Sequence, residues 1–230
     1  MTGIRAGKID PTTATMYLRV TEALRGDIVA GRLKPNDRLK VPELAVALGV
    51  SPSPIREALQ KLQSEGLVTL KPNHGAVVRG IDAEEFAQLL RLRAAIEGMQ
   101  ASLCADRASA AFISRLRTQV ERFGQAIDIG DRDARLKANA TIHKLINGID
   151  GSVVAQEMLT RIDAITAAVR REWPLGADRL DAAHREHVAL ADAIADRDRE
   201  RAAKVARDHV LATLNDILQH MKVAESFASG

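Results

Sequence analysis

The sequence predicts a mostly α chain: a small N-terminal head of helices with one hairpin, then an all-α bundle of six helices. Three observations predict it. Aromatic residues make up only 3% of the 230 while Ala, Leu and Arg abound, which suits helices better than pleated sheets filled by β-branched and aromatic side chains. The formal charge of +3 is unevenly divided: there are 12 Lys and Arg against 7 Asp and Glu up to Gly80, and 21 against 23 beyond it. Only the first part is therefore suited to a polyanionic partner. Finally, turn residues interrupt the first 80 positions at short intervals and the rest at long ones.

Composition narrows the class further. With 46% hydrophobic and 27% charged residues, the chain is neither disordered nor a disulfide scaffold, and its length suggests two domains, 1–80 and 81–230. The single cysteine, Cys104, cannot close an intramolecular disulfide. The first residues lack the apolar core of a signal peptide, and no apolar stretch approaches a membrane span. A reducing cytoplasm is the expected home.

Thr13 or Thr15 is placed to cap a first helix carrying Leu18, Leu24, Ile28 and Val29, which Gly31 ends. After the turn Lys34-Pro35-Asn36-Asp37, a two-turn helix runs from Val41 until Gly49 stops it. Ser51 can cap the helix that follows, so two helices meet through a tight turn. That next helix, from Pro52 to about Gly66, turns Ile55, Leu59 and Leu62 inward and leaves Ser53, Arg56, Gln60 and Lys61 on its surface. Short polar and cationic groups at a helix start suit phosphates and base edges in a major groove. Gly66–Lys71, the turn Pro72-Asn73-His74-Gly75 and Ala76–Arg79 read as a hairpin. Helix, helix-turn-helix and hairpin in this order describe a winged helix-turn-helix.

The runs Gly31-Arg32-Leu33-Lys34-Pro35, Glu43-Leu44-Ala45, Leu48-Gly49-Val50-Ser51, Pro54-Ile55-Arg56-Glu57-Ala58-Leu59, Glu65-Gly66-Leu67-Val68 and Gly75-Ala76-Val77-Val78 resemble the DNA-binding domain of GntR-family bacterial transcription regulators. The resemblance implies a recognition helix in the major groove and a wing tip in the minor groove. It makes Arg56 a base or phosphate contact, sets Ser51 and Ser53 at the DNA-facing end, and forms the wing tip from His74 and Gly75. Lys61 and Lys71 are placed as phosphate contacts, with solvated lysines as the alternative. Two positions depart from the family pattern. Pro52 stands where an arginine commonly follows the serine, and Pro42 where a Glu-Arg or Glu-Ser pair is frequent; losing a bidentate arginine removes about 1–3 kcal/mol of base discrimination.

Beyond Asp82, helical patterns cover 83–107, 110–129, 132–148, 152–173, 177–195 and 199–222, broken at Ala108-Ser109, Gly130-Asp131, Asp150-Gly151-Ser152, Pro174-Leu175-Gly176 and Asp196-Arg197-Asp198. The tail 223–230 is expected to fray. Connections this short make antiparallel neighbours and hence a bundle. His187 and His209 each lie eleven residues from Asp198, so a hairpin sets them at similar heights on the stripes Ala183-His187-Leu190-Ile194 and Val205-His209-Thr213-Ile217. Asn139 and His143 share a face of an earlier helix. By spacing alone these histidines are either hydrogen-bonded core residues or ligands of a divalent transition metal.

Arg93-x3-Glu97, Asn139-x3-His143, Glu186-His187 and His209 are similar to the FCD effector-binding domain of the same regulators, in its FadR-type branch; six helices match the VanR-like subgroup. The resemblance implies a metal, Zn or Ni, held by Asn139, His143, His187 and His209, with Asn139 in place of the commoner Asp. It also implies a small organic or sugar acid as effector. Arg93 could contact such a carboxylate or pair with Glu97; Trp173 could wall the cavity or pack at a helix end; His184 is a neighbour of the site; Cys104 is a buried small hydrophobe. The resulting expectation is a repressor that binds a palindromic operator in double-stranded DNA as a homodimer. The alternative is an all-α metalloenzyme with a DNA-binding head, against which stands the lack of any catalytic motif.

Overall fold

The first helix, α1 (Met16–Val29), buries Val20, Leu24 and Ile28, a stripe repeating every four residues. Leu18, expected on that stripe, is 40% exposed, because two residues along a helix turn a side chain to the opposite face. The computed structural model describes residues 16–72 and 74–228, with side chains through Met221. The Thr13 or Thr15 cap and Asn73 of the hairpin turn thus lie outside the described residues. These residues fall into two units, one comprising those up to Asp82 together with Arg161–Glu172, the other Ala83–Thr160 with those from Trp173 onward.

In the first unit, the Lys34 turn is closed by its backbone N–H on Asp37 Oδ2 at 2.8 Å. A short strand then appears that the residue pattern does not announce, β1 (Arg38–Leu39). In α2 (Val41–Leu48) Pro42 occupies the first turn, where its missing N–H is harmless. Gly49 follows at φ 69°, and its N–H meets the carbonyls of Ala45 and Val46; this left-handed residue makes the tight turn of the helix-turn-helix.

Ser51 opens α3 (Pro52–Ser64) with extended backbone, but its side chain makes no capping bond. The chemistry explains the departure from expectation. A serine cap bonds the second or third N–H of the helix, and Pro54 has no N–H to offer at the third. Ile55, Ala58, Leu59 and Leu62 face inward. Arg25 of α1 grips Glu65 with two parallel bonds of 2.9 and 2.7 Å, locking the far end of α3.

Strands β2 (Val68–Lys71) and β3 (Gly75–Val78) form the hairpin, in register from Val68↔Val78 to Lys71↔Gly75. The strand β1 adds to the free side of β3, giving the order β1-β3-β2. Leu24, Leu39, Leu44, Leu48, Ile55 and Leu62 form the core, with Ala164 and Ile165 packed against it.

Six helices carry the rest: α4 (Ala83–Arg107), α5 (Ala110–Asp128), α6 (Arg132–Asn147), α7 (Val153–Glu172), α8 (Ala177–Ala195) and α9 (Arg199–Ala228). The breaks fall where turn residues mark them. Ser109 caps α5 by accepting from Phe112 N at 3.1 Å, and Asp131 caps α6 by accepting from Ala134 N at 2.9 Å. The last helix continues to Ala228, beyond its expected end at 222. Small residues bring the helices of the second unit close: a Cβ on Gly98 would stand 2.6 Å from Arg207 Cγ. Ala101, Cys104, Phe123, Ile142, Leu190 and Ile194 belong to one core cluster. Burial pushes the Cys104 thiol up to about 12 against the opposing charge of Arg197, which leaves it unreactive. Among the described residues no helix is long and apolar enough to cross a membrane.

Candidate nucleic-acid interface and metal centre

In the first unit, α3 and the sheet line an open groove. Arg38, Lys40, Arg56, Gln60, Gln63, Lys71, His74 and Gly75 border it. Four of the expected DNA contacts, Arg56, Lys71, His74 and Gly75, thus come together, while Ser51 and Ser53 stand exposed at the start of α3. Arg56 forms no salt bridge with another described residue. Like those of Arg38 and Lys71, its side chain makes no hydrogen bond or ion pair with another described residue. Free guanidinium and ammonium groups along one groove suit a phosphate backbone. Ser53 donates instead to Glu57 at 3.2 Å, and Lys61 lies away from the groove, 3.8 Å from Glu65. Arg38 and Lys40 were missed because β1 is only two residues long and carries no periodic signal. Lys40 also pairs with Glu43 at 2.7 Å.

The hairpin is tied to α3. Gln63 Oε1 accepts the backbone N–H of Leu70 at 2.8 Å, so a side chain of α3 completes the bonding of β2.

In the second unit three histidines converge. His143 from α6, His187 from α8 and His209 from α9 offer ligand atoms that all lie within 4.8 Å of one another. Ring centroids are 4.6 Å apart for His187 and His209, 5.6 Å for His143 and His187, and 5.5 Å for His143 and His209. Hairpin symmetry about Asp198 anticipates the first pair, whereas no spacing rule anticipates His143. Phe123 meets the edge of His187 at 4.9 Å, and His184 packs over Gly124, where a Cβ would stand 2.5 Å from its ring.

Two carboxylates orient two of the rings. Glu97 Oε2 lies 3.1 Å from His143 Nδ1, and its other oxygen accepts from Arg93 Nε at 2.7 Å. Glu186 Oε2 lies 2.6 Å from His209 Nδ1, and Arg179 holds Glu186 with bonds of 3.0 and 2.8 Å. Arg179 also reaches the His209 carbonyl at 3.1 Å and Thr213 Oγ1 at 3.2 Å. An ionised carboxylate accepts a hydrogen bond from Nδ1–H, which fixes the tautomer that leaves Nε2 with a free lone pair, as metal-binding histidines require. Burial alone would raise the Glu97 carboxyl, but the Arg93 charge and His143 outweigh it and hold it well below the usual range. Burial likewise opposes ionisation of Glu186, and its bonds to His209 and Arg179 bring it down.

His187 has no such support. It is 1% exposed, and neither ring nitrogen has a hydrogen-bond partner among the described residues. Burial first, then the neighbouring His209 and His143, push it well below its ordinary 6.5. His209 is lowered mainly by burial, against the raising effect of its bond to Glu186. Three imidazoles, two oriented and one with both nitrogens unsatisfied, are a donor set that fits a borderline transition metal.

The other expected site residues also lie in the second unit. Asn139 lies half-buried one turn before His143. Arg93 is buried and engaged with Glu97, the pairing that the four-residue spacing allowed. Trp173 sits half-buried just past α7, and the ring contacts around the cluster involve Phe123 instead. Arg179 was not foreseen; seven residues separate it from Glu186, two helical turns that sequence reading does not pair.

The metal-free fold should therefore be acid-sensitive. An unfolded histidine takes a proton near 6.5 that folded His187 refuses, so stability falls as pH drops below that value, by about 1.4 kcal/mol per pH unit for each such group. Below 4.5 the depressed Glu97 and Glu186 carboxyls add to the loss. Thermal melts from pH 8 to 4 with a chelator check this: His187→Gln should flatten the slope between 6.5 and 4.5.

The FCD domain model matches residues 88–212, and the model for bacterial regulatory proteins of the gntR family matches 16–78. The chain belongs to the GntR family, with an FCD domain following its winged helix-turn-helix. It is 27% identical over 216 residues to the HTH-type transcriptional regulator YdhC of Bacillus subtilis (strain 168), covering 94% of both chains. It is also 27% identical over 209 residues to the HTH-type transcriptional repressor GlaR of Escherichia coli (strain K12), covering 86% of this chain and 94% of that one. The solved structure of E. coli McbR/YncC shares the fold at a TM-score of 0.75 and 21% identity, over 91% of this chain and 100% of that chain. Family and relatives are transcriptional regulators, not enzymes.

Proposed function

We propose that this regulator is an effector-responsive repressor that binds a palindromic operator as a homodimer, its affinity set by a small carboxylate bound at a metal in the helical bundle. The three-histidine cluster carries the reading, above all the two unsatisfied nitrogens of buried His187. Unsatisfied buried polar atoms are destabilising unless a ligand uses them. His143, His187 and His209 would hold Zn or Ni, with the Asn139 amide as a fourth, neutral donor. The metal supplies Lewis acidity and positive charge for an acid's oxygens. Arg93 keeps Glu97 ionised beside His143, and Trp173 is a candidate wall for the effector.

On the DNA side, Arg56 reads a base or phosphate, Lys71 and His74 contact the backbone and wing groove, and Ser51 keeps a hydroxyl free of capping. Two copies of the head double the phosphate contacts and set the half-site spacing. Repression, as in the name of the GlaR relative, is the expected sign.

Operator selection from random DNA by the purified protein, followed by binding titrations with salt, metal and organic acids, tests this reading. Arg56→Ala should weaken specific binding by about 1–3 kcal/mol, whereas Lys61→Ala, remote from the groove, should change it little. Absence of sequence-specific binding, or an operator affinity indifferent to every metal and acid tried, would overturn it.

A further inference from the structure

We infer that the metal-loaded histidine site selects a dianionic acid, one with two carboxylates, over a monocarboxylate of the same size. The inference rests on the metal reading above and goes beyond it by counting charge. The three ligating groups that converge are imidazoles, which bring no negative charge as ligands, and Asn139, half-buried one turn before His143 on the same helix, has an uncharged amide where a carboxylate would add charge. Both nearby carboxylates are already matched. Glu97 pairs with Arg93 at 2.7 Å and Glu186 with Arg179 at 2.8 Å, and each has an oxygen committed to a histidine Nδ1. Neither its charge nor that oxygen remains for the ion.

A divalent ion here would thus keep its two positive charges beside rings that are 1% and 7% exposed, those of His187 and His209. Charge held in so dry a place is strongly unfavourable without a counter-ion. A site with one ligating carboxylate would need one further negative charge; this one needs two. The same α6 that presents His143 and Asn139 adds another cation: Arg135, one turn earlier, is half-buried and has no carboxylate partner among the described residues. The positive excess therefore extends along the helix instead of being cancelled.

The test uses the full chain loaded with Zn or Ni, its metal content fixed by elemental analysis, and two four-carbon probes, succinate and butyrate, titrated calorimetrically. Succinate is expected to bind at least tenfold tighter than butyrate. Without metal the ratio should collapse towards one. Asn139→Asp, which puts one negative charge beside the ligands, should reduce the ratio at least threefold while tightening the metal. Equal binding of the two acids, no binding of either, a preference that survives metal removal, or a ratio unchanged by Asn139→Asp would each overturn the inference while leaving the metal site standing. If the wild-type chain retains no metal, the metal reading itself fails and this inference falls with it.

Discussion

Replacing His187 and His209 together by alanine is expected to reduce bound metal from about one ion per chain to background. Two of the three converging imidazoles are removed, and His143 alone cannot hold a transition metal against a mild competitor. Elemental analysis after gel filtration reads the result, and unchanged stoichiometry would refute the site. A loss through misfolding is separable, because the two carboxylate anchors behave differently from His187. Glu186→Gln keeps every ring but disturbs the partner of His209 Nδ1, and should weaken metal binding about 10–100-fold. His187→Leu should abolish tight binding yet leave the metal-free protein at least as stable as the parent. It removes two buried nitrogens without a hydrogen-bond partner among the described residues, each a penalty of about 1–3 kcal/mol. A protein that is more stable in metal-free form but blind to metal is the signature of a group kept for binding.

The second large effect is expected at the wing. Gly75 has φ 81°, and a Cβ there would stand 2.1 Å from the Leu39 carbonyl oxygen, in the β1–β3 pairing. Alanine would carry the conformational penalty of the left-handed region and also force the two strands apart, together on the order of 3 kcal/mol. Operator affinity should fall more than tenfold, because the wing tip and the β1 cations lose their common frame. Gly130→Ala is the control. It shares the left-handed backbone at φ 69° but has nothing within 4 Å, so its penalty is conformational, about 1–2 kcal/mol. Equal destabilisation by the two variants in thermal melts would mean that the Leu39 contact carries no weight.

Much of this architecture is legible in the residues, for identifiable reasons. Glycine, proline and capping side chains such as Ser109 and Asp131 mark the helix ends chemically, and long helices average out local ambiguity. The His187–His209 pair follows from equal spacing about Asp198. What could not be read depends on tertiary geometry. The strand β1 is two residues whose identity as a strand comes from pairing with β3. His143 reaches its partners only through the packing of α6, and the Arg179–Glu186–His209 chain joins residues two turns apart on one helix to a ring on the next. Lys61 shows the converse limit: an exposed face of α3 can be predicted, but which exposed face borders the groove depends on where the sheet lies.

The bond from the Leu70 N–H to Gln63 Oε1 has a chemical corollary for the operator. A backbone N–H requires an acceptor, so the Gln63 amide is held in one orientation and one lone pair of its oxygen is already used. Its two N–H donors make no bond to another described residue, and Gln63 borders the groove. The amide therefore favours a base edge that presents an acceptor, as a purine N7, guanine O6 or thymine O4 does, over the amino edge of cytosine, which would have to share the oxygen with Leu70.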